Sequence, residues 1–118
     1  MILVTGATGH LGNVLVRTLC ARGESVRALV LPDDCCASIE GLDVECAEGN
    51  VLDPASLERA MMDVDFVYHL AGIVSIVPDH KDVMWRVNVE GVHNVAQAAL
   101  RTGVQRLVHV SSIHAFKT

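Results

Sequence analysis

No stretch of this chain comes near the roughly 18 to 20 unbroken apolar residues needed to span a membrane, so a membrane partner is not expected. Nor does it open like a secretory leader: Met1 leads straight into Ile2-Leu3-Val4 with no basic segment before it. Positive charge is scarce. Nine Lys and Arg stand against fourteen Asp and Glu, a net charge of −5. That is the wrong sign for a nucleic-acid partner, which wants a basic face. The four cysteines, Cys20, Cys35, Cys36 and Cys46, form neither CxxC nor a zinc spacing. Cys35 and Cys36 are adjacent, and their side chains diverge too far for an unstrained bridge. Reduced thiols in a cytoplasmic protein are the expectation. The histidines include no HExxH, so no metal site is expected. Internal repeats, linkers and low-complexity tracts are absent too.

What remains is 118 residues with 51 % apolar and 19 % charged side chains, enough for one globular domain with a real core. Strand and helix patterns alternate along it. Ile2-Leu3-Val4 reads as a buried strand. A helix follows over His10 to Arg22, with Leu11, Val14, Leu15, Thr18 and Leu19 at helical spacing and Gly23 to end it. Ser25 to Leu31 reads as a second strand closed by Pro32. Residues 33 to 41 suit a loop or one short helix. Leu42 to Ala47 is a weaker third strand. Asp53-Pro54 predicts a helix start, with Asp53 as N-cap and Pro54 in the first turn. That helix runs to about Met62. Asp65 to Leu70 predicts a fourth strand, His80 to Arg101 a long helix ended by Gly103, and Arg106 to Val110 a fifth strand. Such alternation implies right-handed crossovers. The expected fold is α/β, a Rossmann-type parallel sheet of about five strands in the order 3-2-1-4-5, with helices on both faces.

The most informative stretch is Thr5-Gly6-Ala7-Thr8-Gly9-His10-Leu11-Gly12, whose spacing is GxxGxxG. It lies between a buried strand and a helix, at the first such turn. Gly6 lets the chain turn, Gly9 lets a diphosphate approach the backbone, and Gly12 lets helix and sheet pack closely. Unpaired N–H groups and the helix dipole then meet negative charge. The competing explanation is a turn that merely needs three glycines. About 20 residues past the loop, an NAD site places an acid on the ribose 2′-hydroxyl. Asp33 and Asp34 fall there, and no arginine closes the second strand; the nearest base, Arg27, stands several residues earlier. This favours NAD, with NADP left open. Both aspartates could instead be solvated loop residues.

With these motifs in hand, the chain resembles the extended short-chain dehydrogenase/reductase family, the branch of NAD-dependent epimerases and dehydratases with dihydroflavonol-reductase-like and 3β-hydroxysteroid-dehydrogenase-like relatives. The likeness runs over essentially the whole chain. Val4-Thr5-Gly6-Ala7-Thr8-Gly9-His10-Leu11-Gly12 resembles the family's opening motif, which puts Gly6, Thr8, Gly9, His10, Leu11 and Gly12 against the cofactor. Glu48-Gly49-Asn50-Val51-Leu52-Asp53 resembles the segment whose acid and next backbone amide contact adenine, with Asn50 in place of the acid and Val51 after it. His69-Leu70-Ala71-Gly72 resembles the strand-four motif, so Leu70, Ala71 and Gly72 would lie along the ribose and nicotinamide. Asn88-Val89-Glu90-Gly91 resembles the mid-helix asparagine segment. Asn88 would then support the active-site helix or a proton relay; a helix-surface amide is the plainer alternative. Val110-Ser111-Ser112 resembles the strand-five serines, and Ser112 takes the catalytic serine's place.

One departure bears on activity. Catalysis in the family uses Tyr-x-x-x-Lys on the helix after strand five, the lysine lowering the tyrosine's pKa. The single tyrosine here is Tyr68, inside strand four with Gly72 at the +4 position. The expectation is therefore the N-terminal part of an NAD(P)-dependent oxidoreductase, epimerase or dehydratase, binding nucleotide but not turning over alone. A small-molecule substrate would belong to the longer parent. The competing classes are a non-catalytic dinucleotide-sensing or partner-binding module, and a structural fragment without ligand. An apolar fifth strand at the sheet edge further predicts a homo-oligomer or a further segment covering it. Val83, Val87 and Val95 are expected to include uncovered apolar surface.

Overall fold

A computed structural model describes residues 1–31, 39, 41–70 and 86–110, with only the backbone at position 87. Five parallel strands form one sheet: β1 (Ile2–Thr5), β2 (Val26–Val30), β3 (Val44–Glu48), β4 (Phe66–His69) and β5 (Arg106–His109). Their order is β3-β2-β1-β4-β5, as expected. The helices are α1 (His10–Ala21), α2 (Pro54–Ala60) and α3 (Gly91–Thr102), the last entered through a π-helical turn, Arg86–Glu90.

The central strand explains the layers. All four β1 residues are buried, because each face of the sheet carries its own core. Ile2 and Val4, with Val26, Ala28 and Val30 of β2, pack against Val16 and Leu19 of α1. Leu3, Leu29 and Val67 face the other way, onto Leu57 and Ala60 of α2 and Val95, Ala98 and Ala99 of α3. A strand covered on both sides reads as an unbroken apolar run, which is why Ile2-Leu3-Val4 shows no alternation.

Helix ends follow local chemistry. Gly23 adopts φ +79, donating to the Cys20 carbonyl at 3.0 Å while Glu24 donates to Leu19 at 3.1 Å. Those paired bonds are a Schellman ending. Gly103 ends α3 in the same left-handed region, with the Val104 N–H on the Ala99 carbonyl at 3.0 Å. Pro54 opens α2 as expected, but Asp53 does not cap it with its side chain. The Ser56 N–H that a capping carboxylate would take is already bonded to Asp53's own carbonyl at 3.1 Å.

Two further expectations change. The helix foreseen from His80 is π-helical over Arg86–Glu90 before becoming α-helical; residues 80–85 lie outside the described residues. Val95 is not uncovered but fully buried in the α2–α3 core, because α3 turns that face onto Leu3 and Val67. Val83 lies outside the described residues, as does the Val87 side chain. The exposed apolar side chains nearest the β5 end of the sheet are instead Phe66, Val108 and Val110, at 40 %, 38 % and 41 %. Phe66 and Val108 alternate with Val67 and Leu107, which pack on the α2–α3 side, so they lie on the α1 side of the sheet.

Arg27 is the charged residue in β2. Its Nη1 donates to the carbonyls of Ala60 at 2.6 Å and Met62 at 2.8 Å, at the C-terminal end of α2. Glu45, its register partner on β3, completes the arrangement: Nη2 donates to Oε2 at 3.4 Å, and Nε stands 3.3 Å from Oε1 without hydrogen-bond alignment. The guanidinium thus satisfies helix-end carbonyls and is not turned toward the end of its strand.

Candidate dinucleotide site

The strand order reverses between β1 and β4, so the crevice for a ligand lies beyond the C-terminal ends of those strands. The glycine loop leaves β1 at that place. Gly6 holds φ +71, a conformation that favours glycine. Its carbonyl accepts the Gly9 N–H at 3.1 Å, closing the turn. Gly9 is the N-cap of α1, with ordinary extended backbone and no side chain to cap the helix; the first turn carries no acid. The positive end of the α1 dipole therefore meets no protein carboxylate in that turn.

The glycines at 9 and 12 serve different purposes. A Cβ on Gly12 would stand 1.9 Å from the Gly6 carbonyl oxygen and 3.0 Å from the Ala7 Cα. Gly12 thus lets α1 close onto the loop itself, a tighter reason than helix-to-sheet packing. A Cβ on Gly9 would meet only the Gly6 oxygen, at 3.4 Å, an ordinary contact. Among the described residues nothing requires a glycine at position 9. Gly9, His10 and Leu11 are exposed, Thr8 is half-buried and Gly12 is buried.

At the ends of β1 and β4, Thr5 and His69 are register partners. Thr5 Oγ1 and His69 Nδ1 share a hydrogen bond of 2.7 Å, and the Leu70 N–H donates to the same hydroxyl oxygen at 3.1 Å. This fixes the backbone where the expected cofactor-lining residues begin. His69 is 1 % exposed, its Nε2 has no hydrogen-bond partner among the described residues, and its ring stacks on His109 at 5.3 Å. Burial, and secondarily the charge of His109, push its pKa down to about 4. The imidazole is neutral at physiological pH.

Beyond β3 the chain makes a tight clasp. The Gly49 N–H bonds the Val30 carbonyl at 2.9 Å. The Asn50 N–H donates to Ser56 Oγ at 3.0 Å, and Asn50 Oδ1 accepts the Leu52 N–H at 2.8 Å. Asn94 of α3 donates from Nδ2 to the Val51 carbonyl at 2.9 Å. A Cβ on Gly91 would stand 2.8 Å from Val51 Cγ2, so the glycine after the π turn lets α3 close on this loop. Asn88 is exposed within that π turn, a local distortion that is frequent at functional sites.

The structure thus places Gly6, Thr8 and Gly9 on the loop at the end of β1, with His10, Leu11 and Gly12 in the first turn of α1. Asn50 and Val51 follow β3, and Leu70 follows β4. Asp33, Ala71, Gly72 and Ser112 lie outside the described residues. Sequence reading missed Thr5, His69, Ser56 and Asn94. Their roles depend on register and on helix docking, which no local motif carries.

Residues 2–117 match the model of the NAD dependent epimerase/dehydratase family. The chain belongs to that family. This epimerase/dehydratase-family chain is 47 % identical over 113 residues to sterol demethylase protein B of Methylococcus capsulatus, covering 96 % of itself and 34 % of that protein. It is 32 % identical over 112 residues to a putative dihydroflavonol 4-reductase of Synechocystis, covering 95 % of itself and 32 % of that protein. Its fold matches the crystal structure of a short-chain dehydrogenase/reductase superfamily protein from Agrobacterium tumefaciens with bound NAD. The TM-score is 0.82 at 38 % identity, covering 95 % of this chain and 32 % of that one. The chain spans about a third of the length of the curated relatives it matches. Among the described residues, no helix is long and apolar enough to cross a membrane.

Proposed function

We propose that this chain binds NAD across the C-terminal ends of its strands, as the nucleotide-holding part of an epimerase, dehydratase or reductase. The observation that carries the reading is Gly9: among the described residues nothing needs a glycine there, and its backbone stands at the positive end of α1 with no side-chain cap. The diphosphate rests on the N–H groups of the loop from Gly6 to Gly12, with Thr8, His10 and Leu11 beside it. Asp33 reads the adenosine ribose and favours NAD over NADP; Arg27, committed to α2 and Glu45, does not serve a 2′-phosphate. Asn50 and Val51 meet the base, while Leu70, Ala71 and Gly72 line the far ribose and nicotinamide.

When bound, NAD supplies a ring that accepts or returns hydride at a hydroxyl-bearing carbon. The chain's own part is to bind, orient and polarise, with Ser112 toward the substrate oxygen and Asn88 supporting the helix beside it. The substrate itself belongs to the longer protein. The alternative is a non-catalytic dinucleotide-sensing or partner-binding module, which a longer product lacking Tyr-x-x-x-Lys would favour; Tyr68, within β4, is not that tyrosine.

Calorimetric titration of NAD into wild type and Gly9→Val tests the binding site. The variant should lose at least about tenfold in affinity, about 1.4 kcal/mol, with its circular dichroism unchanged. Equal affinities would remove the glycine loop from the site.

A further inference from the structure

We propose that Asn50 offers the cofactor's base a hydrogen-bond donor, so that affinity does not rest on the 6-amino group of adenine. The inference rests on the dinucleotide reading above. With the diphosphate over the end of β1 and the ribose read at the end of β2, the next strand along the sheet is β3, whose end the base would meet. Asn50 is the residue there: Gly49 makes the last bond to β2, through the Val30 carbonyl at 2.9 Å, and Asn50 is exposed immediately after it.

The orientation of its amide is not a free choice. Asn50 Oδ1 lies 2.8 Å from the Leu52 backbone nitrogen, which can only donate. The oxygen must face that N–H, which settles the usual ambiguity between the two ends of an amide. Reversing the side chain would lose this bond and set two donors against each other. The NH₂ end is therefore what a ligand meets. The backbone beneath it is held: the Asn50 carbonyl accepts from the Asp53 N–H at 2.8 Å and from Ser56 Oγ at 3.1 Å, and Asn94 grips the Val51 carbonyl at 2.9 Å. The donor is thus presented by a loop held through these hydrogen bonds.

A carboxylate in this position would bond Leu52 with one oxygen and turn the other outward as an acceptor. That acceptor rewards a 6-amino group and repels a 6-oxo group. The amide of Asn50 turns out a donor, which can pair with a ring nitrogen or with an oxo group. Asn50 is in this sense the residue that sets base specificity.

The test titrates NAD and nicotinamide hypoxanthine dinucleotide, whose base carries a 6-oxo group, into wild type and Asn50→Asp. Both ligands bear the same diphosphate, so the added charge of the variant cancels in the ratio of affinities. Wild type should bind the two within about threefold of each other. Asn50→Asp should keep its melting temperature and prefer NAD by at least about tenfold. A wild type that already prefers NAD by that margin overturns the inference and leaves the dinucleotide reading intact. A ratio unmoved by the substitution does the same, since the base is then not read at position 50. Failure of wild type to bind either ligand overturns both readings.

Discussion

Acidification should weaken this fold through His69. Its imidazole is 1 % exposed, bonded through Nδ1 to Thr5 at 2.7 Å and stacked on His109. Burial first, and the charge of His109 second, lower its pKa from 6.5 to about 4. In the unfolded chain the same ring takes up a proton as pH falls through 6.5. The folded state therefore binds fewer protons, and its stability declines with falling pH. The contribution is fully present above about pH 6.5, shrinks between there and about pH 4, and is constant below. At about 1.4 kcal/mol per pH unit the full effect is about 3 kcal/mol, of which about 2 kcal/mol is gone at pH 5. Against a typical total of about 5 to 15 kcal/mol this is a large share. Urea denaturation of wild type and His69→Gln at pH 7 and pH 5 isolates it, since the carboxylates titrate alike in both proteins. Wild type should lose about 2 kcal/mol more than the variant over that interval. Proton NMR provides the direct view: the His69 ring signal should hold its neutral position down to about pH 5. A His69 midpoint near 6.5, or equal losses in the two proteins, would refute the argument.

Gly12→Ala should destabilise the fold by about 1 to 3 kcal/mol, because its methyl group would stand 1.9 Å from the Gly6 carbonyl oxygen; a wild-type denaturation midpoint would contradict this. Arg27→Ala should cost about 1.5 to 3 kcal/mol by freeing the carbonyls of Ala60 and Met62, while the ratio of NAD to NADP affinity stays put. A ratio that moves would mean that Arg27 reads the ribose after all. The β5 edge carries Val108 and Val110 with only Arg106 and His109 as polar brakes, so the 118-residue chain should self-associate in light scattering, and Val108→Lys should reduce it. A clean 12.7 kDa wild-type monomer at high concentration would overturn that expectation.

The fold was legible because its signals are local. Ile2-Leu3-Val4 running into a glycine loop, Gly23 and Gly103 after helical spacing, and Pro54 at a helix start each constrain a few neighbouring dihedrals. Right-handed crossovers then limit the alternating elements to a few parallel-sheet orders. The glycine loop was legible for the same reason, since the turn and the helix that follow it are built from adjacent residues. The purpose of each glycine was not: whether position 9 or position 12 is filled by the protein itself depends on where α1 packs. The partners of Arg27 were equally hidden. The sequence shows a base in mid-strand, while the α2 carbonyls that it satisfies lie more than thirty residues away. The same holds for His69, whose Thr5 partner is set by the β1–β4 register, and for Asn50, whose outward-facing donor follows from one bond to Leu52 in a loop clasped by Ser56 and Asn94. Backbone conformation is decided mainly between neighbours in sequence. Burial, charge state and the orientation of a polar side chain are decided by neighbours in space, and only the assembled sheet and helices bring those together.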